Sequence, residues 1–145
     1  MSSPGLVILT GPQDFEISIS FTLTNVMVAG QIVPGTIQAF GPFVPISSLV
    51  QVPITEVWHI VDVYTVGGPV GPDANIQIFL NGYQQQINPK LSSCNLNLIT
   101  RFQLGQTVVF SPASTVSVSI VLLAAPVANA TQLLTLKSVK SPYTG

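Results

Sequence analysis

Charged side chains are nearly missing from this sequence: four Lys+Arg and five Asp+Glu among 145 residues, or 6%. A soluble domain usually carries about 25%, which would be roughly 36 residues here. The four bases are also late, with none before Lys90 and the others at Arg101, Lys137 and Lys140. Because each phosphate contact takes a Lys or Arg, that excludes a basic genome-binding arm. Cysteine occurs once, so Cys94 can form neither an internal disulfide nor a Cys-based metal cluster, and it reads as a small core residue. Long apolar runs are absent too: Ile120 to Val127, eight residues, contains Pro126, whereas a membrane helix needs about 20. The start, Met1-Ser2-Ser3-Pro4-Gly5, has neither a basic n-region nor an apolar h-region, so export on a signal peptide is not expected.

What replaces the charges is a neutral polar set of 14 Ser, 12 Thr, 11 Gln and 7 Asn, 44 residues together. With 47% hydrophobic residues and a mean hydropathy of +0.58, the composition is the reverse of a disordered chain. The length suits one domain, residues 1–145, with a real core. Area scaling gives a folded monomer roughly 7,000 Å² of surface, so charges are about 800 Å² apart, one partner's share of an ordinary interface. A net charge of −1 supplies little colloidal repulsion. Self-association follows as the expectation.

Period-2 alternation dominates the pattern. Phe15, Ile17, Ile19, Phe21 and Leu23 interleave with Glu16, Ser18, Ser20, Thr22 and Thr24, and Val116, Val118, Ile120 and Leu122 do the same with Thr115, Ser117, Ser119 and Val121. Glu56 to Val66 is apolar on both faces and is expected to lie centrally, covered on both sides. Asn81-Gly82, between Asn75–Leu80 and Tyr83–Ile87, predicts a two-residue type I′ hairpin, since both turn positions need positive φ. Further strands are expected at Leu6–Thr10, Gln31–Phe40 with a bulge at Pro34-Gly35, Leu49–Val52, Leu98–Leu104, Thr107–Phe110 and Leu133–Val139. Twelve prolines and eleven glycines punctuate them, and no proline-free window of 12 residues has a helical stripe. The fold class is all-β: an antiparallel β-sandwich of about eight strands. Residues 138–145 read as an extended C-terminal arm beyond the last strand.

No constellation for chemistry assembles from these residues. Asp14 and Glu16 share a strand face as a solvated or edge-protecting pair. In an unbroken strand Glu56 and Asp62 point away from His59, which leaves that trio neither an acid–base pair nor a metal site. Gly-x-Ser-x-Gly is absent, and in Gly67-Gly68-Pro69-Val70-Gly71-Pro72 the prolines remove the N–H donors a phosphate would need. Catalytic, cofactor and metal residues are therefore all expected to be none. The sequon Asn129-Ala130-Thr131 reads as a chance match. Trp58 is a core or interface aromatic, and Tyr83 with Gln84, Gln85 and Gln86 forms an exposed polar-aromatic patch suited to a sugar or a neighbouring subunit. With Tyr143 in the tail, these six are the candidate interface residues.

A cysteine-poor β-sandwich with a neutral Ser/Thr/Gln surface and an extended tail resembles the single jelly-roll coat proteins of icosahedral viruses, those of thermophilic bacteria and archaea above all. The resemblance lies in length and strand pattern over the whole chain. It implies a single jelly roll that self-assembles into a virion shell, without enzymatic activity, cofactor or small-molecule substrate. Such a subunit is made in the host cytoplasm and partners its own copies, as a capsomer ring or shell, and other coat proteins. Many coats of single-stranded RNA viruses carry a basic N-terminal arm; this chain has none, which leaves the genome to other proteins or to an internal membrane that the subunit could contact. Other readings are a carbohydrate-binding or fibre-head module with Trp58, Tyr64 or Tyr83 as platform, and a strand-donating filament subunit. Few carboxylates also predict an acid-tolerant assembly.

Overall fold

A computed structural model describes residues 10–38, 49–105 and 107–143 of the chain. Among the described residues ten strands form two antiparallel sheets. In sequence order they are β1 (Gln13–Leu23), β2 (Ile32–Pro34), β3 (Thr36–Gln38), β4 (Val50–Gln51), β5 (Glu56–Tyr64), β6 (Ala74–Leu80), β7 (Tyr83–Gln84), β8 (Val108–Phe110), β9 (Thr115–Leu122) and β10 (Ala130–Pro142). One sheet runs β3-β1-β10-β5-β8; the other runs β2-β9-β6-β7, with β4 also on β9. The expected all-β class and two-sheet sandwich are what the chain adopts.

Pairing is nested. β1 pairs with β10, β2 with β9, β5 with β8 and β6 with β7, so the first half of the chain folds back on the second in reverse order. Asn81-Gly82 sits at the centre of the nest, and its φ values of 52° and 83° are those the predicted I′ turn requires. The Asn81 Oδ1 also accepts from the Thr115 N–H at 2.9 Å, which ties the hairpin tip to the start of β9.

The alternation read from sequence places the core. Ile17, Ile19, Phe21 and Leu23 face inward from β1, and Val116, Val118, Ile120 and Leu122 face them from β9, all buried. Each such side chain contributes about 1.5–3 kcal/mol when fully buried. Cys94 is buried, at the end of a short 3-10 helix, Leu91–Cys94, that the sequence pattern did not announce.

Several expectations are corrected. Gln31–Phe40 is not one bulged strand: Gly35 divides it, and β2 and β3 belong to different sheets. A Cβ on Gly35 would lie 2.5 Å from Ile19 Cγ2 and 2.9 Å from the Val118 carbonyl oxygen, so only glycine lets the chain cross between the sheets there. Leu98–Leu104 is not a strand, because Asn95 starts a turn that swings Arg101 to Asp62. Ser138–Pro142 is no free arm: it is the continuation of β10, paired with β5 from Ser138↔Ile60 to Pro142↔Glu56, since its backbone donors and acceptors complete that ladder. Thr144 and Gly145, most of Leu6–Thr10, and Ala39 and Phe40 lie outside the described residues.

The parity of β5 breaks at its middle. Lys137 pairs with Asp62 and Ser138 with Ile60, so Val61 is an extra, bulged residue. Glu56, Trp58 and Ile60 therefore point inward, and after the bulge Val63 does. The outer face of β5 is only partly exposed beside β10, and the strand is not apolar on both sides as expected.

Candidate assembly surface

The nine charged residues are not spread over the molecule. β2, β4, β6, β7 and β9, the whole of the second sheet, carry none. Asp14, Glu16, Glu56, Asp62, Lys137 and Lys140 lie on strands of the first sheet. On its outer face Glu16 stands opposite Lys137 and Lys137 opposite Asp62. Tyr64 donates its hydroxyl to Glu16 at 3.1 Å, and burial first, then the Glu16 carboxylate, pushes the phenol pKa up. Arg101 grips Asp62 with two bonds of 2.9 and 2.8 Å. The charges that exist thus largely answer one another on one face.

Because the β5 bulge restores them to one face, His59 and Asp62 both point outward, contrary to the unbroken-strand reading, but the Asp62 carboxylate is held by Arg101. Glu56 faces inward instead and accepts the Trp58 indole N–H at 3.0 Å. No group of three or more His, Cys, Asp or Glu that could hold a metal occurs among the described residues. Burial, reinforced by the Asp62 and Asp73 charges, pushes the Cys94 thiol up to about 12, so it stays protonated at neutral pH.

Of the six candidate interface residues, Trp58 is displaced from the surface altogether. It is wholly buried, stacked edge-on against Phe15 at 5.1 Å, with Lys140 over the Phe15 ring at 5.5 Å. Its size and its indole N–H partner explain the position: a buried Glu56 oxygen satisfies the donor. Tyr83 is 78% exposed at the hairpin end, and Gln84 and Gln86 are exposed beside it, with Gln85 half-buried. Gln86 borders a groove of about 530 Å³ between the residues after β7 and the Phe102–Gly105 segment. Tyr143 is exposed and donates its backbone N–H to the Thr55 carbonyl. The register brings Tyr83 and Tyr143 to the same end of the sandwich, on different sheets.

The opposite end holds what the sequence pattern did not reveal. Four loops meet there: 24–31, 66–73, 95–100 and 123–129. Two bonds run between them, Asn25 N–H to Asn129 Oδ1 at 2.9 Å and Leu123 N–H to the Asp73 carbonyl, and two more tie them to neighbouring residues, Val70 N–H to Gln132 Oε1 on β10 at 2.8 Å and Leu96 N–H to the Thr65 carbonyl just after β5. The one charged residue in them, Asp73, is occupied by Ser92 and its own neighbour Ala74. Burial raises its pKa, yet the bonds from Ser92 and Ala74 and the nearby Lys90 outweigh that and leave it lowered. From this end project Ile99, fully exposed, Val127 at 98%, Val26 at 82% and Val66 at 77%, with Val28, Val70, Leu96, Leu98 and Leu123 also exposed. No loop alone looks unusual; only the fold collects them.

No protein-family model matches the chain, and no curated protein matches its sequence.

Proposed function

We propose that this chain is a structural subunit of a self-assembling shell, a single jelly roll of the viral coat type with no enzymatic role. Nested pairing of eight strands supports the jelly-roll reading, because rolling such a long hairpin gives two four-stranded sheets of this order, with β3 and β4 as additions. The observation that carries the function is the second sheet without one charged residue. Interface cores are depleted of charge, and a whole uncharged sheet face is more than one small contact needs. Copies of this chain, and other coat proteins, are the partners this face suits. The location is the virion wall, made in the host cytoplasm, with no direct contact to the genome, since no basic cluster is available for one.

A sugar-binding role draws less support. Trp58 is buried and Tyr64 is engaged with Glu16, which leaves Tyr83 without an aromatic companion from the expected platform. The test is charge insertion on the second sheet: Ser117→Glu with Val121→Glu, both on its outer side, should abolish particles seen by electron microscopy, whereas Ser18→Glu on the first sheet should not. Particles of unchanged number with the double variant would overturn the reading.

A further inference from the structure

The strand registers lay out the outer face of the second sheet as a grid. Ile32, Val121 and Asn75 form one row, Pro34, Ser119 and Gln77 the next, and Ser117, Phe79 and Gln84 the third, with Gln51 and Thr115 paired beyond them. Its polar side chains are amides and hydroxyls, each of which both donates and accepts. In the middle of the grid the Gln77 Oε1 is buried yet has no hydrogen-bond partner, one of two such atoms among the described residues. Turning that amide outward therefore costs its oxygen no bond.

A sheet face is covered most fully by another sheet face, and a second copy offers two. Its first sheet would bring Glu16, Lys137 and Asp62, with Arg101 on Asp62, into the contact, and desolvating such pairs can cost more than their attraction returns. Its second sheet brings no charge at all. We infer that the second sheet stacks on its own counterpart across a twofold axis that passes close to Gln77 and Ser119. In such a contact like meets like. A charge on the axis would repel its twin, whereas an amide or hydroxyl bonds to its twin, so this composition fits a twofold. Gln77 then gains the donor its oxygen lacks, from the other copy's Gln77 amide or Ser119 hydroxyl, and Ile32, Phe79 and Val121 supply apolar area around the pair. The inference rests on the self-association proposed above and adds its symmetry: the building unit is a dimer, and a shell is joined through the remaining surfaces.

The test is charge exchange across the axis. Gln77→Glu and Gln77→Lys are made in the full chain, and association is measured by analytical ultracentrifugation at pH 7, separately and mixed. Each alone should associate at least about tenfold more weakly than wild type, because like charges face one another, and the equimolar mixture should recover. Under oxidation, at least one of Gln77→Cys, Ser117→Cys and Ser119→Cys should form a disulfide dimer that stops at two chains, since a residue near the axis lies beside its twin. Cys94, which is buried, and Ser18→Cys on the first sheet are the silent controls. Circular dichroism melts check folding; Ser117→Glu and Ser117→Lys replace the Gln77 pair if either variant is unfolded. Unweakened association of the separate variants, a mixture no stronger than its parts, or no disulfide dimer at any of the three positions would overturn the inference. Shells that form in spite of such a result would sink the twofold alone, whereas a wild-type chain that stops at this dimer would support the twofold and refute the shell.

Discussion

Gly35→Ala tests the crossing between the two sheets. The residue separates β2 from β3, and its N–H bonds to the Val118 carbonyl at 2.8 Å. An added methyl would meet Ile19 Cγ2 at 2.5 Å, Phe21 Cε1 at 2.8 Å and the Val118 oxygen at 2.9 Å. Ile19 and Phe21 are both buried, and the oxygen is fixed by the bond to Gly35 itself. Overpacking of this kind costs about 1–3 kcal/mol, against which a stiffer unfolded chain returns about 0.4–1 kcal/mol. A net loss of about 1–2 kcal/mol, at an unfolding entropy of roughly 2.1 cal/mol/K per residue, lowers Tm by about 3–7 °C. The assay is thermal unfolding by circular dichroism, with Gly11→Ala as control because a Cβ there meets nothing within 4 Å. Equal Tm for the two variants would refute the proposed crossing.

Trp58→Phe removes the donor to Glu56 and leaves a buried carboxylate oxygen unserved; urea unfolding should show a loss of about 2–4 kcal/mol, most of it recovered when Glu56→Leu is added. Cys94, with its thiol pushed up to about 12 and fully buried, should resist iodoacetamide at pH 8 in the folded protein and react at once in 6 M guanidinium. Acid tolerance turns on few groups. Asp73 is held below its ordinary 3.8 in the fold, so its contribution is present above that value and is lost as pH falls through the lower folded value. Thermal melts should therefore be flat from pH 7 to about 4 and decline only below, and Asp73→Asn should remove its share of that decline.

Much of the fold was legible because strands with one buried face write their burial into alternate residues. Phe15 to Leu23 and Val116 to Leu122 keep strict parity, and both lie as read. Glu56 to Tyr64 does not, since a bulge depends on the partner strand: nothing in the residues around Val61 says that Lys137 and Ser138 will skip it. Leu98, Ile99 and Leu104 look like strand residues by composition, yet Arg101 drawn to Asp62 forms a loop instead. The tail Ser138–Pro142 is polar enough to read as an arm, and only an unfilled position beside β5 makes it strand.

For the surface, the charge deficit was visible at once, but its segregation onto one sheet needed the strand order. Tyr83 and its glutamines were placed correctly at an exposed hairpin end, while Trp58 was misplaced because aromatic residues in strands serve core and interface alike. The aliphatic end could not be read at all. Val26, Val66, Ile99 and Val127 are far apart in the chain, each in a loop where a lone apolar residue is ordinary.

Assembly is read most directly from the state of the wild-type chain, by electron microscopy and analytical ultracentrifugation across a hundredfold range of concentration. Closed shells or capsomer rings that persist on dilution and in 0.5 M salt are expected, since charge contributes little to holding them. A stable monomer at the highest concentration, with its uncharged sheet left in water, would contradict that expectation.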